Sequence, residues 1–372
     1  MLSASAAETI YAHPGNGAVS GSLFQSALMQ EAQHNPVLQI DRSRVSYKSL
    51  PYVVLRDAAW SYTTLPDAIL PYTVLPYTDL PDTDLPDTVL PIKSKPRLWL
   101  VGSGHAILWA TTFAALNNAW YRDYPRSSFH FFDDRREWKQ MDKAGHVWTA
   151  YQLSRHSAEA WRWAGISNRQ AAWFGGASAF AFQSIIEVLD GFSEEWGFSL
   201  GDMEANLIGS GGYIAQQLLF RNQVLQVKLG YKPYSYPGDL QPRRNQLFGS
   251  TLPEQILKDY NSQRYWLSAN LKSILGAAGV PAWLNLAIGY SADGIFGGRT
   301  NQWTDKQGNS FNRNDIPRVR RFYLSPDLDL TKIKTKRRFL RSAFFILNMV
   351  KIPAPAIEYN TKGKLKLHAL LF

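Results

Sequence analysis

Residues 222–231, NQVLQVKLGY, mark the point at which the chain changes from helical to strand spacing. Apolar Leu225, Val227 and Leu229 alternate here with other side chains, which is the period of two that a half-buried strand shows. The same alternation returns in three later segments, 265–271, 284–290 and 364–367. Short segments of this kind, separated by turn-rich spacers, predict an antiparallel sheet or a small barrel in residues 222–372.

The spacing of apolar residues before this switch predicts four helices. Three of them cover about 139–164, 168–190 and 200–220, with Ser167 and Ser199 as the expected N-caps of the last two. The predicted fold class is therefore α+β, with a bundle of about four helices followed by an antiparallel β domain.

The first predicted helix, residues 98–120, is almost uncharged and follows three basic residues. Trp120 and Tyr121 stand at its far end. This pattern fits a membrane-inserted helix with an interfacial aromatic anchor, and it fits a buried helix of a soluble bundle equally well. The predicted bundle is therefore embedded in a membrane under the first interpretation and soluble under the second.

Residues 1–97 carry a repeat of five, in which Leu or Trp recurs at every fifth position from Leu50 to Leu90 and Pro usually follows. Each Pro removes a backbone donor, which argues against a stacked solenoid and favours a disordered, low-complexity tract. The predicted organisation has three parts. They are the tract 1–97, a helical domain 98–221 and a β domain 222–372.

Composition and charge narrow the classes of function. The 372 residues include no Cys, which excludes disulfides, Cys-based metal sites and a Cys nucleophile, and offers no thiol for an acyl anchor. The net charge of +10 predicts an anionic partner, and residues 222–372 hold 23 basic against 9 acidic side chains. We expect membrane lipid or an anionic envelope polymer, and no nucleic acid, because no nucleic-acid-binding module surrounds the basic residues. No feature points to a protein partner.

A basic segment, TKIKTKRRFLR at 331–341, leads directly into the apolar segment SAFFILNMV at 342–350. Such a sequence is typical of chain that lies at an anionic lipid surface, and a solvated loop before a core helix is the alternative. The candidate membrane-surface residues are Lys332, Lys334, Lys336, Arg337, Arg338 and Arg341.

Polar residues occur in pairs at helical spacing within otherwise apolar segments. The pairs are Asp142 with His146, Glu187 with Asp190, and Asp202 with Asn206. A buried carboxylate must be paired, hydrogen-bonded, metal-bound or solvent-lined, because burying an isolated charge is costly. One interpretation is a satisfied structural network in which Lys143 and His146 balance the carboxylates.

The other interpretation is a catalytic centre. His146 and Glu187 would then transfer protons, while Asp142, Asp190 and Asp202 would orient them or hold a divalent cation. Carboxylates together with one imidazole suit a hard or borderline metal ion. The hypothesis of a shared centre is wrong if the side chains of Asp142, His146, Glu187 and Asp202 lie more than about 8 Å apart.

The motifs around these pairs resemble a known pattern. MDKAGH at 141–146, IEVLDGF at 186–192 and GFSLGDMEANLIG at 197–209 are similar to the VanZ-like pattern of D-K-x-x-H, E-x-x-Q and S-x-x-D-x-x-x-N-x-x-G. Asp190 stands where this pattern has Gln. That difference adds a second carboxylate to the helix.

The likeness extends to YPRSSFHFF at 124–132, STLPEQILKDY at 250–260, LNLAIGY at 284–290 and KIPAP at 351–355. Together these motifs resemble a Gram-negative family of predicted periplasmic lipoproteins over about residues 98–372. The resemblance implies a membrane-associated protein of the cell envelope, on the periplasmic side or at the outer membrane, and it implies no reaction. The lack of Cys disagrees with the lipoprotein label. The polar residues that match the pattern are Asp142, His146, Glu187, Asp202 and Asn206.

Two functions are therefore expected. The first is a non-enzymatic, membrane-associated envelope protein that handles lipid or other envelope material. The alternative is a hydrolase or transferase that acts on a lipid-linked or phosphorylated envelope substrate through the polar residues.

Overall fold

A computed structural model describes residues 93–117, 125–277, 279–305 and 307–372. Most of the predicted disordered repeat tract lies outside the described residues, as do Trp120 and Tyr121, the predicted interfacial anchor.

Four long helices form the first part of the described chain. Ser167 and Ser199 cap the third and fourth, because their hydroxyl oxygens accept hydrogen bonds from the backbone N–H groups of Gln170 and Asp202. The helices are α1 Lys95–Leu116, α2 Met141–Trp163, α3 Asn168–Asp190 and α4 Leu200–Phe220.

Glycines allow α2, α3 and α4 to pack closely. A Cβ atom added to Gly175 of α3 would lie 2.4 Å from the backbone oxygen of Ser154 in α2. A Cβ atom added to Gly209 of α4 would lie 2.4 Å from the backbone oxygen of Val147, also in α2. The backbones thus touch at both crossings, and α2 lies against both other helices.

Helix α1 packs on this unit by one side only. His105 Nε2 lies 2.8 Å from Ser157 Oγ in α2, while Trp99 and Ile107 are 80% and 64% exposed. Both α1 and α3 are long and apolar enough to cross a membrane, a test that core helices of soluble proteins also pass. The membrane-inserted interpretation of α1 stays a prediction.

The second part of the chain contains a six-stranded antiparallel sheet in the order β1-β2-β3-β6-β7-β8 and a separate two-stranded hairpin, β4-β5. The predicted α+β class is confirmed, and β6 and β7 add to the four strands that the alternation located. The strands are β1 Leu225–Tyr231, β2 Gln263–Asn270, β3 Leu284–Asp293, β4 Gln302–Thr304, β5 Ser310–Asn312, β6 Val319–Leu328, β7 Ala354–Asn360 and β8 Leu365–Leu371. Helices between them are α5 Gln241–Phe248, α6 Leu252–Lys258, α7 Leu271–Leu275 and α8 Arg338–Leu347.

The first and last strands of the sheet approach each other. A Cβ atom on Gly230 of β1 would lie 2.4 Å from the backbone carbon of Phe372, which follows β8. The backbone N–H of Leu229 in β1 also donates a hydrogen bond to Met349 O at 3.0 Å, and Lys351 N–H donates to Leu229 O at 2.9 Å. The sheet is therefore rolled, with the segment after α8 beside β1.

Helix α2 joins the bundle to the sheet. Met141, at its start, packs with Leu229 and Tyr265 of the sheet, and Gln152 Nε2 donates a hydrogen bond to Val227 O at 2.7 Å. The sheet thus covers the part of α2 that carries the candidate polar residues. The predicted domain boundary at residue 221 stays a prediction.

Candidate functional site

Five of the predicted polar residues come together between α2, α3 and α4. His146 Nε2 lies 3.4 Å from Asp202 Oδ1 and 3.8 Å from Asp142 Oδ1. On the other side of the ring, Nδ1 lies 3.1 Å from Asn206 Oδ1 and 3.7 Å from Glu187 Oε1. These distances pass the geometric test for a shared site. We call these five residues the polar centre.

Lys143 supplies the positive charge beside the polar centre. Its Nζ lies 2.6 Å from Asp134 Oδ2, 2.9 Å from Asp142 Oδ2 and 2.7 Å from Asp202 Oδ1. Burial alone would lower the pKa of Lys143, but the carboxylates of Asp142 and Asp202 outweigh burial and raise it above its ordinary value. Lys143 is therefore charged. Lys143 is the Lys of the D-K-x-x-H motif, so the sequence pattern already indicated it.

Tyr260 and Ser199 support the polar centre as well; the motif S-x-x-D contains Ser199, whereas no local pattern relates Tyr260 to the site. Tyr260 Oη donates a hydrogen bond of 2.7 Å to Asp142 Oδ1 and comes from the loop before β2, 118 residues away. Ser199 Oγ donates to Asp134 Oδ1 at 2.5 Å, so that the cap of α4 also holds the carboxylate that pairs with Lys143. The β part of the chain thus contributes to the site.

The protonation of the polar centre is uneven. Burial raises the pKa of Glu187 to about 9. Burial also raises the pKa of Asp202, whereas the ammonium of Lys143, 2.7 Å from Asp202 Oδ1, opposes that shift and favours the ionised form. At Asp142 burial is outweighed by Lys143 and His146, which hold the pKa well below its ordinary range. At neutral pH Asp142 is thus ionised, and Glu187 holds a proton.

Asp190 is the last residue of α3 and lies partly buried. After burial, its negative charge is the next cause that raises the pKa of Glu187. The carboxylate that departs from the VanZ-like pattern therefore helps to keep Glu187 protonated.

The polar centre contains buried atoms that the described residues leave unsatisfied. Glu187 Oε1 and Asn206 Nδ2 are buried and have no hydrogen-bond partner among these residues. Each such atom costs about 1–3 kcal/mol, and folded proteins contain few of them. The contacts among the described residues thus leave both atoms open to a further hydrogen-bond partner.

The donor atoms of Asp142, His146 and Asp202 could also hold a metal ion, since they lie within 4.8 Å of one another. Carboxylate and imidazole ligands suit Mg²⁺, Mn²⁺ or Zn²⁺. The ammonium of Lys143 already lies within 3 Å of both carboxylates, at 2.9 Å and 2.7 Å. A divalent cation would have to compete with it, and the predicted cation site stays a prediction.

A cleft of about 380 Å³ opens beside the polar centre between α2 and α4. Arg135, Lys143 and Glu204 line its polar side, and Val147 and Ile208 line its apolar side. Lys143 belongs both to the cleft and to the ion-pair network. A bound molecule with a polar head and an apolar chain would therefore find a matching surface for each part.

The predicted membrane-surface residues lie before and within α8. Lys332 is partly buried, and its Nζ donates a hydrogen bond of 2.9 Å to Asn222 Oδ1. Helix α8 packs by Phe345 under the guanidinium of Arg155, at 3.8 Å from the ring centre, and leaves Phe339 exposed. It is thus only partly a core helix, and its contact with lipid stays a prediction. The other candidates are exposed: Lys334, Lys336, Arg337, Arg338 and Arg341.

Comparison with known families identifies one match. Residues 130–217 match the family described as predicted periplasmic lipoprotein, DUF2279. This segment includes α2, α3 and most of α4, and so the whole polar centre with Lys143. Comparisons with curated proteins and with solved structures gave no match.

The match confirms the predicted relation to this family over residues 130–217, and the predicted location in the Gram-negative cell envelope. The chain is an envelope protein. The VanZ-like resemblance and a place at the outer membrane stay predictions.

Proposed function

We propose that this envelope protein takes a lipid-linked or phosphorylated envelope molecule into the cleft, and that the polar centre exchanges a proton with it, as in a hydrolase or transferase. One observation carries the proposal. Glu187 Oε1 is buried without a hydrogen-bond partner among the described residues and lies 3.7 Å from His146 Nδ1. A buried carboxyl group with a raised pKa and a neighbouring imidazole are groups that can serve general acid–base catalysis.

His146 is the residue that can relay a proton. Its two ring nitrogens face different acids, Glu187 on one side and Asp202 on the other. An imidazole can accept a proton at one nitrogen while it donates from the other. The buried acids are thereby connected through His146, which is 18% exposed.

Lys143 has a separate role at the mouth of the polar centre. It lines the cleft, and its charge is held in place by three carboxylates. A fixed ammonium stabilises negative charge that develops on a bound phosphate or acyl oxygen, because the surroundings need not reorganise during the reaction. A second cation, Arg135, lies on the same side of the cleft.

The class of substrate follows from the other wall of the cleft and from the location. Val147 and Ile208 offer an apolar surface next to the cations, and the matched family is assigned to the periplasm. Molecules of the envelope that join an apolar chain to a charged head are lipids and lipid-linked intermediates. We therefore expect a substrate of this kind.

The test uses the purified chain with a total lipid extract of Gram-negative envelopes in mild detergent, and follows the products by mass spectrometry. We expect the wild-type protein to convert at least one lipid, and His146→Asn and Glu187→Gln to lose this conversion while circular dichroism shows an unchanged fold. Glu194→Gln is the matched control, because Glu194 is exposed and is not among the residues that line the cleft. Conversion that persists in His146→Asn, or that no protein shows, would overturn the proposal.

A second candidate function is lipid binding without chemistry. It is favoured by the lining of the cleft, whose cations and apolar side chains match a lipid whether or not the lipid reacts. In that case the wild-type protein and His146→Asn bind the same lipid with equal affinity, and neither changes it. Binding and conversion measured on the same samples separate the two functions.

A further inference from the structure

The six-stranded sheet carries its apolar side chains on the face that points away from its own interior. Five of them stand side by side across five neighbouring strands, because Leu267 pairs with Ile288, Ile288 with Leu324, Leu324 with Ile357, and Ile357 with Leu367. All five are between 43% and 74% exposed. We call this row of five residues the apolar strip.

A second row lies next to the apolar strip on the same face. Phe322, Tyr359 and Leu365 pair across β6, β7 and β8 and are 43%, 53% and 69% exposed. Contiguous exposed apolar side chains of this number mark an interaction surface in a folded protein.

The opposite face of the sheet is buried and mostly polar, with a small apolar cluster around Trp266 and Tyr323. Lys228 Nζ forms an ion pair of 2.8 Å with Asp327 Oδ2, and both side chains are fully inaccessible. Ser268 Oγ donates a hydrogen bond of 2.6 Å to the same oxygen of Asp327. A sheet of an ordinary soluble domain places its apolar face inward and its polar face in water. In this sheet the exposed face is apolar and the buried face is mostly polar, which is the arrangement of strands that face lipid.

The helices cover only one end of the outward face. Leu229 and Tyr265 are buried there, because they pack with Met141 of α2. The apolar strip lies beyond this contact. The same face thus has one part covered by protein and one part left open among the described residues.

Positive charges stand at both ends of the strands that carry the apolar strip. Lys362, Lys364 and Lys366 line a cleft of about 450 Å³ at the turn between β7 and β8. Exposed Lys334 and Lys336 follow the opposite end of β6. An apolar surface with a basic rim complements a bilayer that contains anionic lipid, whose head groups surround the acyl chains.

We propose that the apolar strip lies against the acyl chains of an anionic envelope membrane, so that the sheet rests on the bilayer by this face. The basic rim then meets the lipid phosphates. This surface is distinct from the cleft between α2 and α4, and the proposal does not depend on any reaction at the polar centre.

The test uses the absence of Cys from the sequence, because a single introduced thiol can be labelled cleanly in the full chain. Ile288→Cys and Leu367→Cys are labelled with the fluorophore NBD, and Gln307→Cys, on the exposed turn between β4 and β5, is the control. Each protein is mixed with vesicles of phosphatidylethanolamine and phosphatidylglycerol that carry a nitroxide deep in the acyl chains. We expect quenching at least threefold stronger at positions 288 and 367 than at position 307.

Two outcomes overturn the proposal. One is equal quenching at all three positions. The other is a blue shift of the NBD emission in the absence of vesicles that grows with protein concentration. Such a shift would show that a second copy of the chain covers the apolar strip.

A second pair of variants measures the energetic role of the face. Ile288→Asn combined with Leu367→Asn should lower the fraction bound to these vesicles at least tenfold, because two exposed apolar side chains lose their burial in lipid. Leu257→Asn, an exposed leucine of α6 outside the sheet, should leave binding unchanged. Conversion of detergent-dispersed lipid should remain in the double variant, so failure of this proposal is distinguishable from failure of the proposed function.

Discussion

Replacement of Lys143 by Met removes the ammonium group from beside the polar centre and keeps most of the length of the side chain. The lost contacts are ion pairs of 2.6 Å, 2.9 Å and 2.7 Å to three carboxylates, made by a side chain that is 15% exposed. Removal of one partner from a buried ion pair costs about 3–5 kcal/mol, because the remaining charge is left uncompensated. We expect a loss of this size in the free energy of unfolding at pH 8, measured by urea denaturation with tryptophan fluorescence.

The loss should become smaller as the pH falls. Although burial opposes it, Lys143 holds the pKa of Asp142 well below its ordinary value. A carboxyl group of this kind stabilises the folded state above its unfolded pKa of about 3.9, and the stabilisation disappears as the pH falls through the folded pKa. Lys143→Met lacks this contribution, so its curve of stability against pH approaches that of the wild-type protein in acid.

Glu204→Gln provides the matched control, because it breaks an ion pair with Arg135 that lies in the same cleft but is exposed. We expect no measurable change in the urea midpoint, since exposed ion pairs contribute little to stability. A loss in Lys143→Met no larger than that of this control, or one that is as large at pH 2 as at pH 8, would refute the electrostatic description of the site.

Three further predictions concern the same bundle. The wild-type protein should lose stability as the pH rises from about 4.5 towards 9, because folded Glu187, with its pKa raised to about 9, holds a proton that the unfolded chain releases. Glu187→Gln should lose less stability over this range. Urea unfolding at pH 5, 7 and 9 measures the slope of stability against pH, and an unchanged slope in the variant would contradict the prediction. Gly209→Ala should lower the free energy of unfolding by about 1–3 kcal/mol, because its Cβ would lie 2.4 Å from Val147 O. Gly212→Ala on the same helix has open space and should raise that free energy by about 0.5–1 kcal/mol. Equal urea midpoints for the two variants would show that the helices do not touch at Gly209. Zn²⁺ should raise the melting temperature of Lys143→Met more than that of the wild-type protein, because the ammonium no longer competes for the carboxylates; equal shifts in calorimetry would argue against a cation site.

The sequence located α2, α3 and α4 because their signals are local. Ser167 and Ser199 cap their helices as predicted. The polar centre was also predictable, because residues four apart share a helix face and the buried carboxylates need partners. The contact of Tyr260 with Asp142 was not, since it joins segments 118 residues apart that no local pattern relates.

The orientation of the sheet shows a different limit of sequence patterns. Alternation along β2 and β3 correctly places Leu267 and Ile288 on one face. It does not reveal whether that face meets the protein core or the surroundings, because the period of two is the same in both cases. The buried pair of Lys228 with Asp327 decides the orientation, and this pair forms only when the sheet has folded.

We propose that the cleft and the polar centre form one site for an envelope lipid. Native mass spectrometry after incubation with an envelope lipid extract tests it, with Ile208→Asp and Leu207→Asp compared with the wild-type protein. The two side chains are adjacent in α4 and 63% and 59% exposed, but only Ile208 lines the cleft. We expect one bound lipid on the wild-type protein and on Leu207→Asp, and its loss from Ile208→Asp; equal lipid on all three proteins would contradict the claim.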